Sequence, residues 1–340
     1  MVKQQSYSLN TIEHDSLNPP DNGCVVGVDI GGTNLRLALA DMTGAVLGRW
    51  STSSVGIHDP HEIVALIRAG VEHLLNESCV PRSALRAIAA GAPGITDADA
   101  GVVIATSYLM GWRDVPLRAL LEAALEVPAA VDNDVNVGAI GESWVGAAKE
   151  SRDFVFLAIG SGVGAGIVLN RRLFQGMGWT AGEIGYMLVP GTPEEPVERG
   201  KPGALEGLIG GEGIKDQWQK LWTEERTALP RDLNATQIFD YALAGEPLAQ
   251  TMLEQSARIL AYAIYNISLI LNCPLFVLGG GVGAHPALCE ATRTVLKERG
   301  ARAMPELALS ILGADAQLIG AVRLALDTAS ARRGIAAETG

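Results

Sequence analysis

Residues 24–40 read CVVGVDIGGTNLRLALA. Cys24 to Ile30 is an apolar run of strand length, closed off by Gly23 and Gly31. Leu35 to Ala40 is a second such run, and Gly31-Gly32-Thr33-Asn34 between them has the residues of a tight turn. The plan returns at residues 154–169, FVFLAIGSGVGAGIVL. There Phe154 to Ile159 predicts a strand, residues 160–166 a glycine turn, and Ile167 to Leu169 the return strand. Few positions are identical between the two stretches. What they share is a strand, a glycine turn and a return strand, once in each half of the chain. That is the pattern of a duplicated α/β fold with a ligand held between its halves.

Ala45 to Ser51 reads as a third strand after the turn Asp41-Met42-Thr43-Gly44. His61 to Leu75 carries apolar residues at helical spacing (Ile63, Leu66, Ile67, Val71, Leu74), with Asp59-Pro60 as its start signal. Leu85–Gly91, Gly101–Ala105 and Ala129–Val131 read as strands, and Leu117–Leu125 and Asp134–Ala148 as helices. Residues 186–204 are irregular and rich in Pro, Gly and Glu. From Leu208 to Leu271 the chain reads as mainly helical. Leu275–Leu278 then reads as a buried strand, and Pro286–Arg299 and Ala316–Thr328 as helices before a frayed tail. The expected division is a flexible tail over 1–22, a smaller N-terminal α/β domain of 23–132 plus 313–332, and a larger C-terminal α/β domain of 133–312.

A length of 340 residues argues for two domains, and 48% apolar residues suffice for their cores. The net charge of -12 and the lack of any Lys/Arg-rich stretch argue against a nucleic-acid partner. An acidic protein that binds phosphates needs local donors, such as backbone amides and Mg2+, rather than a basic surface. Cys24, Cys79, Cys273 and Cys289 lie far apart with no CxxC spacing, which reads as reduced thiols in a cytoplasmic setting. Residues 1–22 are polar, with no apolar stretch of signal-peptide length. Ile259–Leu278 is interrupted by Asn266, Asn272 and Pro274, so it reads as a buried helix running into a strand, not as a membrane span.

The glycine turns suggest phosphate chemistry. Gly31 and Gly32 leave backbone N–H groups unshielded, Thr33 adds a hydroxyl donor beside Asn34, and Asp29 can hold a water of a Mg2+ shell. A plain hairpin turn accounts for the same residues. Gly160, Gly162, Gly164 and Gly166 alternate, with Ser161 among them, and strip side chains from one face of the ribbon. Either a ligand or another backbone can lie on that face. Gly279-Gly280-Gly281 follows a strand and precedes a helix, where ligands lie in open α/β sheets, or where the chain simply turns. No GxGxxG follows a strand and no GxxxxGK[ST] is present, so the Rossmann and P-loop modes are disfavoured.

Val131-Asp132-Asn133-Asp134-Val135-Asn136 joins a strand to a helix. Asp134 is placed to accept the proton of an attacking hydroxyl and to orient it for in-line attack, or else to cap the helix. Glu183, set among small residues in Thr180–Tyr186, can accept two vicinal hydroxyls, and so can Glu206. A solvated surface position, the commoner fate of a Glu, accounts for either one.

Taken together, DIGGTN (29–34), GAPGI (91–95), Gly111-Trp112, DNDVN (132–136), GSGVGAGIV (160–168), AGEIG (181–185), GALE (203–206) and LGGGV (278–282) resemble the ROK family. The likeness covers roughly residues 24–325. The family comprises repressors, uncharacterised reading frames and kinases, among them bacterial glucokinases, fructokinases and N-acylmannosamine kinases. The resemblance implies an actin/hexokinase-like (ribonuclease H-like) fold with an interdomain cleft, ATP and Mg2+ as cofactors, and a homodimer. It implies Asp134 as catalytic base, Asn133, Glu183 and Glu206 as sugar ligands, and Gly94 in the sugar-site loop. The loops at Gly31–Thr33 and Gly160–Gly164 would take phosphates, and Gly280-Gly281 the adenosine side.

Two departures stand out. Many members carry a zinc site built from a His after GEIG and a cysteine cluster before the second sugar-binding Glu. Here Tyr186 takes the His position and residues 187–205 hold no Cys or His, so no zinc is expected, and Pro190, Pro193, Pro196 and Pro202 are left to order the loop. Many members also have a sugar-contacting Asn in a Pro-Asn-Leu run where this chain has Ser107-Tyr108-Leu109. Tyr108 and Tyr186 therefore bear on sugar choice. Glucose is the expected acceptor, with fructose and N-acylmannosamines next. A catalytically silent sugar-binding regulator is the alternative of another class. A DNA-binding repressor is disfavoured, because about two dozen residues before the first strand are too few for a helix-turn-helix domain.

Overall fold

The computed structural model describes residues 23–193, 202–300 and 304–338. The tail expected over 1–22, and Pro196, lie outside the described residues. The chain opens with β1 (Cys24–Ile30), β2 (Asn34–Asp41) and β3 (Val46–Ser53), then α1 (Pro60–Glu77) and β4 (Leu85–Ala92). A small antiparallel sheet follows, made of β5 (Ile95–Asp97), β6 (Val102–Ala105) and β7 (Arg113–Val115). After it come α2 (Leu117–Leu125), β8 (Ala129–Asn133) and α3 (Asp134–Val145). The second half holds β9 (Phe154–Ile159), β10 (Val163–Leu169), β11 (Arg172–Leu173), α4 (Glu206–Ile209), α5 (Gly211–Leu221), α6 (Ala235–Leu243) and α7 (Pro247–Leu271). It closes with β12 (Leu275–Gly279), α8 (Gly280–Gly283), α9 (Pro286–Glu298), β13 (Glu306–Leu309) and α10 (Ala316–Glu338).

Both large sheets have the same plan. The first runs β3-β2-β1-β4-β8 and the second β11-β10-β9-β12-β13. In each, a hairpin supplies three antiparallel strands and two parallel strands complete the sheet. The duplication suggested by the two glycine hairpins is therefore present strand for strand.

Side-chain alternation sorts β1 between two cores. Val26, Val28 and Ile30 face Ile63, Ile67 and Val71 of α1 and Leu117 and Leu121 of α2. Val25 faces the other way, with Ala38, Ala87 and Ala89, onto Leu318, Val322 and Ala325 of α10. The residues on that face are small because the helix lies close: a Cβ on Gly27 would meet the Val322 backbone nitrogen at 2.5 Å. The second sheet buries one face under α5, α6, α7 and α9, with Val155, Leu157 and Ile159 against Trp218, Phe239 and Ile264. Its other face packs on α3.

The helices that follow the two fifth strands, α3 and α10, pack against each other between the sheets. Their backbones touch at paired glycines: a Cβ on Gly141 would meet the Ala316 carbonyl, and one on Gly320 the Val137 carbonyl.

Most elements expected from the sequence form within a few residues of their expected bounds. The start signal at Asp59 works as expected, its carboxylate accepting from the His61 N–H at 2.8 Å ahead of Pro60. The return strand after the second turn begins at Val163 rather than Ile167, so Gly164 and Gly166 lie inside β10. The final helix runs to Glu338 instead of fraying after Thr328. The short strands β5, β7, β11 and β13 are not among those expected from the sequence. No helix among the described residues is long and apolar enough to cross a membrane.

Candidate active site

The two glycine turns, the start of α3, and the loops carrying Glu183 and Glu206 converge on one cleft of about 1050 Å³. Gly31 and Gly32 of the first turn line it, opposite Gly160, Ser161, Gly162 and Gly164 of the second. Gly160 faces open space, with nothing within 4 Å of where a Cβ would stand. Gly164 and Gly166 meet α3 instead: added Cβ atoms would lie 3.0 Å from Val135 Cγ2 and 2.5 Å from Ala139 Cβ. The alternating glycines thus divide: Gly160 at the tip faces open space, and Gly164 and Gly166 pack closely against α3.

A second recess of about 360 Å³ adjoins this cleft and shares Gly31, Asp134 and Gly280 with it. Gln317 also lines both, and Asp29, Thr33, Asn34, Arg36, Gly313 and Ala314 complete the walls of the recess. The Asn34 amide donates to Thr33 Oγ1 at 3.1 Å. Gly280 adopts φ 78°, tucked against the Ile159 backbone, and so needs no side chain. Gly281 is exposed and lines neither cavity.

At the start of α3 the sequence left open whether Asp134 is the cap. Asn133 takes that position: its Oδ1 accepts from the Val135 and Asn136 N–H groups at 2.9 and 3.1 Å. Its Nδ2 donates to the Gly94 carbonyl at 2.9 Å. Gly94 has φ 98°, and a Cβ there would stand 2.7 Å from Thr106 Cα, so the loop admits only glycine. With the cap supplied by its neighbour, Asp134 is free to turn its carboxylate to the cleft, where its Oδ1 accepts one bond, from the Val135 N–H at 2.9 Å. Burial pushes its pKa up to about 7, and the nearby charges of Asp29 and Glu183 add to the rise.

Asp132, one residue before the cap, is buried and fully used. It accepts from the Asn133 N–H at 2.7 Å, Asn136 Nδ2 at 3.0 Å and Gln175 Nε2 at 3.0 Å. It fixes the strand end from which Asn133 and Asp134 project.

Asp29 lies at the end of β1, directly across from Arg36 of β2. Arg36 donates from Nε and Nη2 to the same Asp29 oxygen, Oδ2, at 2.9 and 2.6 Å. Burial raises the Asp29 pKa, while the guanidinium pulls it down. Arg36, Asp132, Asn136, Gln175 and Gln317 were not singled out from the sequence. Arg36 was reachable, because a turn over 31–34 sets position 36 opposite position 29.

Glu206 opens α4, and its Oε2 accepts from the Val163 N–H at 2.9 Å and from the Tyr108 hydroxyl at 3.3 Å. Glu183 is half-buried, its pKa raised by burial and by the Glu206 charge. The small residues around it hold the loop against β10, with the Ala165 N–H bonded to the Gly182 carbonyl at 2.9 Å. Tyr186 is 53% exposed at the cleft margin. Asp134, Glu183 and Glu206 therefore bring three carboxylates around the cleft, with Asp29 in the adjoining recess. Acceptor-only groups in that arrangement suit a ligand rich in hydroxyl donors.

A model of the ROK family matches residues 25–328. The chain belongs to the ROK family. Among its relatives, a glucokinase of Halalkalibacterium halodurans is 33% identical over 312 residues, which cover 87% of this chain and 92% of the relative. An N-acetylmannosamine kinase of Salmonella typhimurium is 28% identical, covering 88% and 97%. A solved ROK family glucokinase from Streptomyces griseus, in complex with glucose and AMPPNP, aligns with a TM-score of 0.75 at 25% identity, covering 90% of this chain and all of that one (100%). The fold is the actin/hexokinase-like one expected from the motifs, and the likeness places this ROK protein with sugar kinases.

Proposed function

We propose that this chain is an ATP-dependent hexokinase that converts glucose to glucose 6-phosphate. One observation carries the reading. The half-buried Asp134 carboxylate faces a cleft walled by both glycine turns, beside Glu183 and Glu206. In this reading the sugar lies against Asn133, Gly94, Glu183, Glu206, Tyr108 and Tyr186. The phosphates lie on Gly31, Gly32, Thr33, Asn34, Gly160, Ser161, Gly162 and Gly164, with Gly280 and Gly281 toward the adenosine.

Asp134 accepts the proton of the attacking hydroxyl. With a pKa near 7 it is a far better base than an ordinary carboxylate and is still ionised in a useful fraction at neutral pH. The fixed turns hold the reacting groups in line, which is the main protein contribution to phosphoryl transfer. A magnesium site fits the residues present. Asp29 Oδ2 is taken by Arg36, which leaves its other oxygen free to hold a metal-bound water, and a nearby cation would relieve the like charges of Asp29 and Asp134. Bound there, Mg2+ would neutralise charge on the transferred phosphate.

The glucokinase relative at 33% identity and the glucose–AMPPNP complex support glucose and ATP. The N-acetylmannosamine kinase relative supports an N-acyl amino sugar as second reading. A panel of hexoses, including fructose and N-acetylmannosamine, with ADP release as readout and polyphosphate as alternative donor, tests this. Glucose with ATP is expected to give the highest kcat/KM. Sugar binding without turnover on any acceptor would make the chain a silent sugar-binding regulator.

The reading also includes a homodimer, a cytoplasmic setting and no structural zinc. The free thiols of Cys24, Cys79, Cys273 and Cys289 suit a reducing compartment, and residues 187–205 offer no Cys or His to a metal. Light scattering that gives one chain's mass, or metal analysis that finds one tightly held zinc per chain, would count against it.

A further inference from the structure

Tyr108 touches more of the cleft than any single role requires. It lies between β6 and β7, in the N-terminal half. Its backbone oxygen and Cβ stand 3.5 and 3.6 Å from where a Cβ on Gly32 would be, so its main chain lies over the first glycine turn. Its hydroxyl lies over Gly162 in the second turn, where a Cβ would collide with it. The same hydroxyl donates to Glu206 Oε2 at 3.3 Å. One side chain thus spans the space between both turns and is tied to a carboxylate at the acceptor end.

Glu206 is itself bonded to the second turn through the Val163 N–H at 2.9 Å. Burial and the Glu206 charge hold the Tyr108 phenol above its ordinary range, so it stays protonated and remains a donor. The residue is 45% exposed, so it is not locked in a packed core. A ligand oxygen seated on the Gly162 turn needs the place the hydroxyl occupies. A ligand hydroxyl that binds Glu206 competes with the phenol for the carboxylate.

We infer that Tyr108 couples the two ends of the cleft: an acceptor hydroxyl that takes Glu206 releases the Tyr108 ring from the glycine turns and opens them to phosphate. This rests on reading the cleft as a sugar kinase site. Tyr108 acts here as a positioning residue. In the absence of acceptor it covers the phosphate turns and so limits both nucleotide binding and loss of phosphate to water. Because coupling between two ligands is reciprocal, nucleotide tightens the acceptor by the same factor.

The test is calorimetry with the non-hydrolysable analogue AMPPNP, with and without glucose, on the wild type, Tyr108→Phe and Tyr108→Ala. In the wild type, saturating glucose is expected to tighten AMPPNP about tenfold or more. Tyr108→Phe keeps the ring but loses the tie to Glu206. Its AMPPNP affinity without glucose is expected to rise toward the glucose-bound value, shrinking the effect of glucose below about threefold. Tyr108→Ala should shrink it at least as far, and both variants should hydrolyse ATP faster without acceptor relative to their rate with it. A structural role alone would not move this coupling ratio. Full wild-type coupling in Tyr108→Phe would overturn the role of the hydroxyl while leaving the kinase reading intact. A wild type that binds neither glucose nor AMPPNP would overturn both.

Discussion

Replacing Asp134 with Asn should make the protein more stable and inactive at the same time, with a gain in stability that depends on pH in a defined way. The Asp134 carboxyl is raised from its ordinary 3.8 to about 7, mainly by burial. That rise corresponds to about 4 kcal/mol by which the folded protein favours the neutral form. The folded value lies above the unfolded one. The contribution of the neutral carboxyl is therefore fully present below pH 3.8, declines as pH rises, and is lost by about pH 7, where the folded protein takes up the charge as well. Asn is neutral throughout, and its Oδ1 can still accept the Val135 N–H. The stability of Asp134→Asn relative to the wild type should thus climb between pH 4 and 7 and level off above. Residual water around a half-buried group brings the total to about 2–4 kcal/mol. At about 2.1 cal/mol/K per residue, this is roughly 3–6 °C in Tm for 340 residues. Turnover should fall by about 10²–10⁴-fold, the range expected for loss of a general base, with sugar affinity mostly kept. Thermal melts from pH 4 to 9, alongside ADP release at saturating substrate, measure both arms. A Tm difference that stays flat with pH would show that Asp134 titrates as an ordinary carboxylate. A variant that keeps more than a tenth of wild-type turnover would show that it is not the base.

The same carboxyl sets the pH–rate profile: kcat/KM for the sugar should fall about tenfold per unit below pH 7, where the free enzyme's base is protonated, and flatten above it. A profile that stays flat down to pH 5 would remove Asp134 from that role. Glu183→Gln keeps the shape of the side chain but weakens its acceptance of hydroxyls, so KM for the sugar should rise by about tenfold with a smaller change in kcat, as steady-state kinetics would show. Gly320→Ala places a methyl against the Val137 carbonyl where α10 crosses α3, so denaturant unfolding should show a loss of about 1–3 kcal/mol; an unchanged midpoint would mean that the two backbones are not in contact.

What was legible in the sequence was local. The strands flanking the turns read over 31–34 and 160–166 announced themselves through apolar runs and glycine, and their duplication foretold two sheets of one plan. Whether Asp134 caps α3 was not legible, because Asp suits the position and so does the Asn before it. It is settled by the pairing of Asn133 with Ala92, which carries β8 two residues further than its apolar run and leaves Asp134 as the first residue of α3. Alternating glycines were equally compatible with a ligand and with a backbone, since the helix that covers Gly164 and Gly166 is a separate element whose docking leaves no mark on the ribbon's own sequence. The bond from Tyr108 to Glu206 joins residues 98 apart, and no periodicity records such a pair.

The position of α3 explains why the most chemically loaded residue sits where it does. The helix begins at the C-terminal end of β8, where open α/β sheets present ligands. It then packs on β9 and β10 of the other sheet and on α10, which packs on β1 and β4 of the first. Asp134 is therefore carried by a helix that joins both halves by direct packing, and its first turn lies between the two glycine hairpins. Gly141 and Gly320 let that junction close to backbone contact. A base mounted on either outer wall would shift against one of the glycine turns whenever the walls moved. Mounted at the junction, it holds its distance to both, which is the geometric condition for aligning a hydroxyl with a phosphate held between them.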